Sequence, residues 1–512
     1  MILDSEKQDA RALLDRTFDV CICGAGPAGI SLALRLAEQG KDVVLLEAGG
    51  LEYEDVSQEL YQGESGGLEY FDLDITRVRQ FGGSSNHWGG WIRELEPNDY
   101  LARPQAPMSG WPIRFEDVDA YTQAAGKMIE IEDLERIRGE EALPYEEKME
   151  GFESILFTET KAVNFGEKYR QDIEKSQKIV CLYNCNVLDL VLDDSLQTAR
   201  HAVCAAYENP DRFEVRARYF VVSMGGIENA RFLLNANNQI KTGIGNERDN
   251  VGRYFSEHTD VWVGSYFMRE GVYNPYDGAL IVTPDRQTGI DRETLRYCLY
   301  FGGAERELRL DAGSIRSKIE KLACQSDIGI DIWRLLRWRR KAGQIHCTEE
   351  FDDIEGFPQF GQINVTTEQA LNPASRVTLA DQRDRFGLRR TRIEWNLTEL
   401  DYHTLRTAVL DFGEWLAGND IGRVRMAQWL SDEPPTLPSI RVDHVAHHHH
   451  MCTTRMADDP QFGVVDANCK VFGTSNIYMA GSSVFATGGF GNPTYDLVKI
   501  ALRLGDHLAS LA

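Results

Sequence analysis

The sequence has no apolar run long enough to cross a bilayer, so no membrane-spanning helix is read from it. Met1 to Asp9 is charged from Asp4 onward and lacks the basic segment and apolar stretch of a secretory signal; a cytoplasmic location is the expectation. Basic charge is in short supply. Lys and Arg number 55 against 80 Asp and Glu, a formal charge of −25, which opposes contact with a nucleic-acid backbone and favours neutral or cationic small molecules. Clustered cysteine is missing too. The ten cysteines are scattered, Cys21 and Cys23 share an apolar strand, and nothing near Cys181 and Cys185 completes a four-ligand set, so neither structural zinc nor an iron–sulfur centre is expected. What is present is ordinary globular composition, 42% apolar and 26% charged, in 512 residues that can form more than one packed region.

The most informative segment lies near the N-terminus. Phe18 to Cys23 is a short apolar strand that runs into Gly24-Ala25-Gly26-Pro27-Ala28-Gly29. Ile30 to Gln39 then has helical periodicity with Gly40 as a stop, and Val43 to Leu46 is a second strand ending at Glu47. In this order each residue has a physical task. Gly24 makes the tight turn, Gly26 lets backbone approach a pyrophosphate, Gly29 lets helix and strand pack closely, and the helix N-terminus faces the phosphates. Glu47 is placed to accept hydrogen bonds from ribose hydroxyls. A carboxylate there argues against NADP but leaves NAD and FAD both open.

Further along, 50 to 80 has no sustained periodicity, and Phe81 to Trp91 is dense in glycine, which suits close backbone approach to a flat ligand. A helix is predicted over 114–131. Between 178 and 222 alternation predicts short strands returning to the nucleotide-binding region, followed by a helix from Ile227 to Ala236. From about 259 to 445 strand-like runs at Trp262–Phe267, Gly361–Thr367, Arg376–Leu379 and Arg390–Trp395 surround helix-like stretches at 315–342 and 397–417, predicting a largely antiparallel sheet with covering helices. The basic aromatic stretch 332–341 is a candidate partner contact, set against an ordinary helix with its aromatics packed inward. His447 to His450 is internal. Four consecutive imidazoles point in different directions and no HExxH motif accompanies them, so no metal site is expected.

Beyond this, the sequence resembles the glucose–methanol–choline oxidoreductases, flavoproteins that oxidise alcohols. The resemblance rests on Gly24-x-Gly26-x-x-Gly29 with Glu47; Gly82-Gly83-Ser84-Ser85-Asn86-His87-Trp88; Gly225-Gly226-Ile227-Glu228-Asn229-Ala230-Arg231; Gly252-Arg253 before His258; His449-x-x-Cys452-Thr453; Val464-Val465-Asp466; Asn476-Ile477-Tyr478; Gly481 to Phe485; and Gly491-Asn492-Pro493-Thr494. It is closest in texture to bacterial sugar dehydrogenases and pyranose or glycoside oxidases.

The resemblance implies an α/β fold: a Rossmann-like FAD-binding domain joined to a substrate domain built on a largely antiparallel sheet with covering helices. On that pattern 1–258 is the first part of the FAD-binding domain, with a cofactor-covering loop at 50–115; 259–445 is mainly the substrate domain; and 446–512 returns to the FAD-binding domain with the catalytic residues. Gly24, Gly26, Gly29, Glu47, Gly83, Ser84, Asn86, His87, Val187, Gly225, Gly481, Ser482 and Thr494 would bind FAD. His449 would accept the alcohol proton while hydride passes to flavin N5, and Asn492 would be its companion. Cys452 stands where the family commonly has glycine. His87 stands where one branch carries a histidine joined to the flavin, which leaves covalent and non-covalent FAD both open.

The substrate implied is a small hydroxylated molecule, with a sugar, glycoside or polyol preferred and an aminated sugar as a variant; oxygen or another acceptor would take the electrons. An imidazole titrates near neutrality and can take the proton as the carbonyl develops, and a neighbouring amide can orient the substrate oxygen. The rival readings are an NAD-linked Rossmann dehydrogenase and a catalytically inactive flavin-binding interaction protein.

Overall fold

A computed structural model of the chain describes residues 1–7, 14–131, 134, 149–209, 211–269, 280–301, 359–440 and 445–512. The stretches 315–342 and 332–341 lie outside these residues.

Strand Thr17–Cys23 lies inside an eight-stranded sheet, and five of its seven residues are buried, as expected of a parallel strand covered on both faces. It pairs in parallel with Val43–Leu46 on one side and Phe213–Val222 on the other. Ile179–Tyr183 and Ile2–Asp4 extend the first edge in parallel. Ala199–Ala205 and Asn186–Leu192 extend the other as an antiparallel meander, and Ile477–Met479 brings the C-terminal region back against Phe213–Val222. Helix Pro27–Glu38 follows the glycine turn, and helix Thr494–Leu511 packs against it.

The second sheet has six strands in the order Gly422–Met426, Thr259–Met268, Gln359–Thr367, Tyr297–Phe301, Leu280–Pro284 and Phe152–Ser154, all antiparallel neighbours. Helix Glu399–Gly418 covers it, opening on a capping box in which Asp401 accepts from the Thr398 amide. Thus 259–445 supplies most of this sheet, and the edge strand Phe152–Ser154 comes from much earlier in the chain.

Two local expectations are corrected. The helix predicted over 114–131 is two shorter ones, Phe115–Asp119 and Thr122–Met128, broken where Tyr121 turns to donate its hydroxyl to Asp506 Oδ2 at 3.1 Å. The aperiodic stretch 50–80 contains a strand, Gly63–Gly67, paired in parallel with Arg389–Trp395. Its sequence, Gly-Glu-Ser-Gly-Gly, has little strand propensity. The partner decides: a Cβ on Gly63 would lie 2.3 Å from the Thr391 carbonyl oxygen, so only glycine lets the two backbones approach this closely.

Candidate active site

One cavity of about 440 Å³ runs along the C-terminal ends of the first sheet's parallel strands. Gly24, Gly26, Glu47, Gly83, Ser84, His87, Val187, Gly225, His449, Gly481, Ser482, Asn492 and Thr494 all line it. Gly29 and Asn86 stand behind the wall instead. A Cβ on Gly29 would meet the Gly24 carbonyl oxygen at 1.9 Å, so Gly29 seats the helix on the strand. Asn86 donates its amide to the carbonyls of Phe81 and Gly83, at 3.1 and 2.7 Å, and so holds the second glycine loop in shape.

The turn itself is locked by backbone. The Gly24 amide donates to the Leu46 carbonyl at 2.7 Å, and Gly24 takes φ of +109°, a conformation open to glycine. Gly26 differs from both other glycines of the motif. The nearest atom to a Cβ built on it is Gly83 Cα at 3.9 Å, so the space before it is open cavity at the N-terminus of helix Pro27–Glu38. Glu47 is buried at the end of its strand; its carboxylate accepts from the Ala25 amide and the Gly49 amide, each at 2.7 Å, while burial pushes its pKa up. These bonds fix both oxygens and leave each with a lone pair for a further donor.

Two arginines also face this part of the cavity, and sequence reasoning missed them. Arg79 donates to Asn186 Oδ1 at 2.9 Å and Arg77 to Glu228 Oε1 at 3.0 Å, and their guanidinium carbons lie 5.2 and 4.1 Å from the Tyr61 ring centroid. Nε of both and Nη1 of Arg77 are buried without a hydrogen-bond partner. The only signal was Arg-Val-Arg shortly before Gly82-Gly83, which carries no periodicity.

The histidine run diverges, as four successive residues must. His448 and Cys452 both take left-handed φ, +59° and +67°, and His447, His448, His449 and His450 all border the cavity. The His449 amide donates to Glu257 Oε2 at 2.9 Å, and its Nδ1 lies 2.9 Å from Nδ1 of the wholly buried His258. Glu257 Oε1 accepts from the Tyr70 hydroxyl at 2.5 Å, and that hydroxyl meets His450 Nε2 at 3.0 Å. Burial raises the Glu257 pKa to about 7. Burial, then the neighbouring histidines, holds His449 well below the usual imidazole range, so its ring is neutral near pH 7. His447, also on the cavity wall, meets Asp260 Oδ2 at 2.5 Å, and Asp260 is held in turn by Tyr300 and Thr366. Among the described residues no group of three or more His, Cys, Asp or Glu side chains is arranged to hold a metal ion.

Asn492 also lines the cavity, and its Oδ1 is buried without a protein partner. His87 also borders the cavity; its amide donates to the Ser84 carbonyl at 3.2 Å, and burial lowers its ring pKa. The residues therefore fit a dinucleotide: the cavity is bordered by an open glycine cradle at a helix N-terminus for phosphates, by a fixed carboxylate, and by an imidazole and an unpartnered amide.

Two family models match the chain. Residues 19–226 match the model of the FAD dependent oxidoreductases, and residues 372–501 match that of the GMC oxidoreductases. No curated protein sequence matches. Among solved structures, pyridoxine 4-oxidase from Mesorbium loti is similar over 96% of this chain and 99% of its own, at 17% identity and a TM-score of 0.55. A formate oxidase is similar over 97% and 98%, at 15% identity and a TM-score of 0.52. A fungal aryl-alcohol oxidase is similar over 97% and 99%, at 13% identity and a TM-score of 0.56. At such identities these likenesses show the fold.

Proposed function

From the premise that this chain is an FAD-dependent oxidoreductase of the GMC family, we propose that it oxidises an alcohol group of a small hydroxylated substrate to a carbonyl. The observation that carries the reading is that one glycine-lined cavity is bordered both by His449, an imidazole that burial keeps neutral, and by Asn492, whose amide oxygen no protein group satisfies. The FAD match displaces the NAD-linked alternative.

FAD would lie with its phosphates before Gly26 and Gly83 and its adenosine toward Glu47 and Val187, with Gly225, Gly481, Ser482 and Thr494 along its length; when bound it supplies the acceptor for the hydride from carbon. His449 takes the hydroxyl proton, which its burial leaves it free to do near neutral pH. Asn492 orients the substrate oxygen through its amide. Ser482 keeps the loop in place, donating its hydroxyl to the His450 carbonyl at 2.7 Å. His87, on the same wall, is the residue that would carry a covalent link. Acid precipitation tests that link directly: colour in the pellet assigns it, and complete release of FAD leaves His87 as cavity wall.

The substrate class favoured is a secondary hydroxyl of a sugar, glycoside or related polyol. The polar strand face Gln362, Asn364 and Thr366 supports it, since Thr366 joins Asp260 and through it His447 on the cavity wall. Oxygen is the proposed acceptor, in keeping with similar proteins named as oxidases. A cytoplasmic setting suits the eight described cysteines, all free and buried; no helix among the described residues is long and apolar enough to cross a membrane.

The test is anaerobic flavin reduction by an active alcohol followed by stopped flow. His449→Ala keeps FAD but slows reduction by about 10² to 10⁴, the usual contribution of a positioned base. Asn492→Ala slows the same half-reaction through lost alignment. Wild-type reduction in His449→Ala would remove the residue from the role.

A further inference from the structure

The base assigned to His449 needs one particular ring nitrogen to carry a lone pair, and the hydrogen bonds behind the ring determine which. His258 Nε2 lies 3.3 Å from the Gly488 carbonyl oxygen. A carbonyl can only accept, so that nitrogen carries hydrogen. His258 is wholly buried, and burial lowers its pKa to about 4, so the ring is neutral near pH 7 and its Nδ1 is a bare lone pair. That lone pair faces His449 Nδ1 at 2.9 Å. Two lone pairs cannot share this distance; His449 Nδ1 must therefore donate. The reverse arrangement would set an unprotonated His258 Nε2 against the carbonyl oxygen, leaving two acceptors in contact and a buried carbonyl unserved.

We propose that His258 is a positioning residue that fixes His449 in the Nδ1–H tautomer, leaving Nε2, on the opposite edge of the ring, as the proton acceptor. The proposal rests on the reading of His449 as base. Its grip has two points from successive residues: Glu257 holds the His449 backbone amide and His258 holds the ring. The two rings meet nearly at right angles, 84°, with centroids 5.0 Å apart, which aims the His449 N–H along the His258 lone pair without stacking. A carboxylate in the place of His258 would also accept from Nδ1, but it would stabilise a charged imidazolium; a neutral imidazole sets the tautomer without adding charge beside the flavin site.

The experiment uses holoenzyme with ¹⁵N-labelled histidine, the His449 signals being those lost in His449→Asn. In the wild type His449 should show a protonated Nδ1 and an unprotonated Nε2. His258→Leu, which offers no acceptor, should convert a measurable fraction to the other tautomer and slow anaerobic flavin reduction by about 10- to 100-fold, the range known for removing the hydrogen-bond partner behind a metal-ligating histidine. His258→Asn, whose Oδ1 can accept from Nδ1, should recover reduction to within a few fold of wild type. A merely structural role would not move the tautomer, nor be rescued by an amide. A wild-type His449 with hydrogen on Nε2 would overturn the proposal, as would His258→Leu with full FAD and an unaltered reduction rate. Should His258→Leu fail to fold, the wild-type tautomer and the Asn variant still decide. Failure of the base assignment is separate: it appears as fast reduction in His449→Ala, whatever tautomer the spectra report.

Discussion

Cys452 shows how a single residue departs from a motif while keeping its geometry. Glycine is the family's common residue at this position of His-x-x-Gly-Thr, and Cys452 adopts the conformation glycine would take, with φ of +67° and no solvent exposure. A left-handed L-residue costs about 1–2 kcal/mol, and a β-branched one more. Cys452→Val should therefore lower the thermal midpoint clearly, whereas Cys452→Gly, which removes backbone strain but empties the thiol's place, should stay within about 1 kcal/mol of wild type. Equal midpoints for the two variants would show that the loop relaxes out of the left-handed region. The identity of His449 could be read from the motif, but its environment could not. Its partners Glu257 and His258 lie 192 and 191 residues away, and Tyr70 is 187 residues from Glu257; such contacts leave no periodic trace in a sequence.

At the scale of elements, the strand–glycine–helix–strand unit was the most legible part of the molecule, because each step is set by residues adjacent in sequence. The glycines of that unit nonetheless do different things, and substitution separates them. Ala at position 29 would put a Cβ 1.9 Å from a backbone oxygen, so Gly29→Ala should destabilise the protein even without cofactor, by about 1–3 kcal/mol or more. At Gly26, with φ of −81° and ψ of −173°, alanine is conformationally allowed and meets no atom closer than 3.9 Å. Gly26→Ala should therefore leave flavin-free stability within about 0.5 kcal/mol of wild type and weaken FAD binding, since the methyl enters the cradle. Denaturation of flavin-free protein beside FAD titration distinguishes the two sites. Full FAD affinity in Gly26→Ala would mean that the phosphates do not lie against this turn. The Gly63–Gly67 strand was illegible for the opposite reason: its partner, not its own side chains, makes it a strand.

At the scale of the whole molecule, a segment that the sequence left as loop carries much of the buried charge. Between Arg93 and Arg103 the chain makes ion pairs both to the C-terminal helix and to residues flanking strands of the second sheet. Glu94 meets Lys499 of the C-terminal helix at 2.7 Å, Asp99 and Glu96 meet Arg296 beside the second sheet, and Arg103 forms a two-bond pair with Glu368 at 2.6 and 2.7 Å. Nothing in the local pattern announces these pairs, since a charged residue in a loop ordinarily reads as solvated. Arg103 and Glu368 are only 6% and 2% exposed, so each needs the other: burial alone would push the Glu368 carboxyl up, and Arg103 instead holds it below its ordinary value. Arg103→Met strands a buried carboxylate and should destabilise the protein by about 3–5 kcal/mol. Adding Glu368→Leu removes the stranded charge and should recover most of that loss, because a buried ion pair replaced by apolar side chains of similar volume is often close to neutral. Thermal unfolding of the two single variants and the double variant, with FAD retention measured alongside, tests the coupling. A double variant whose loss equals the sum of the single losses would show that the pair acts as two independent contacts, and that the segment is fastened elsewhere.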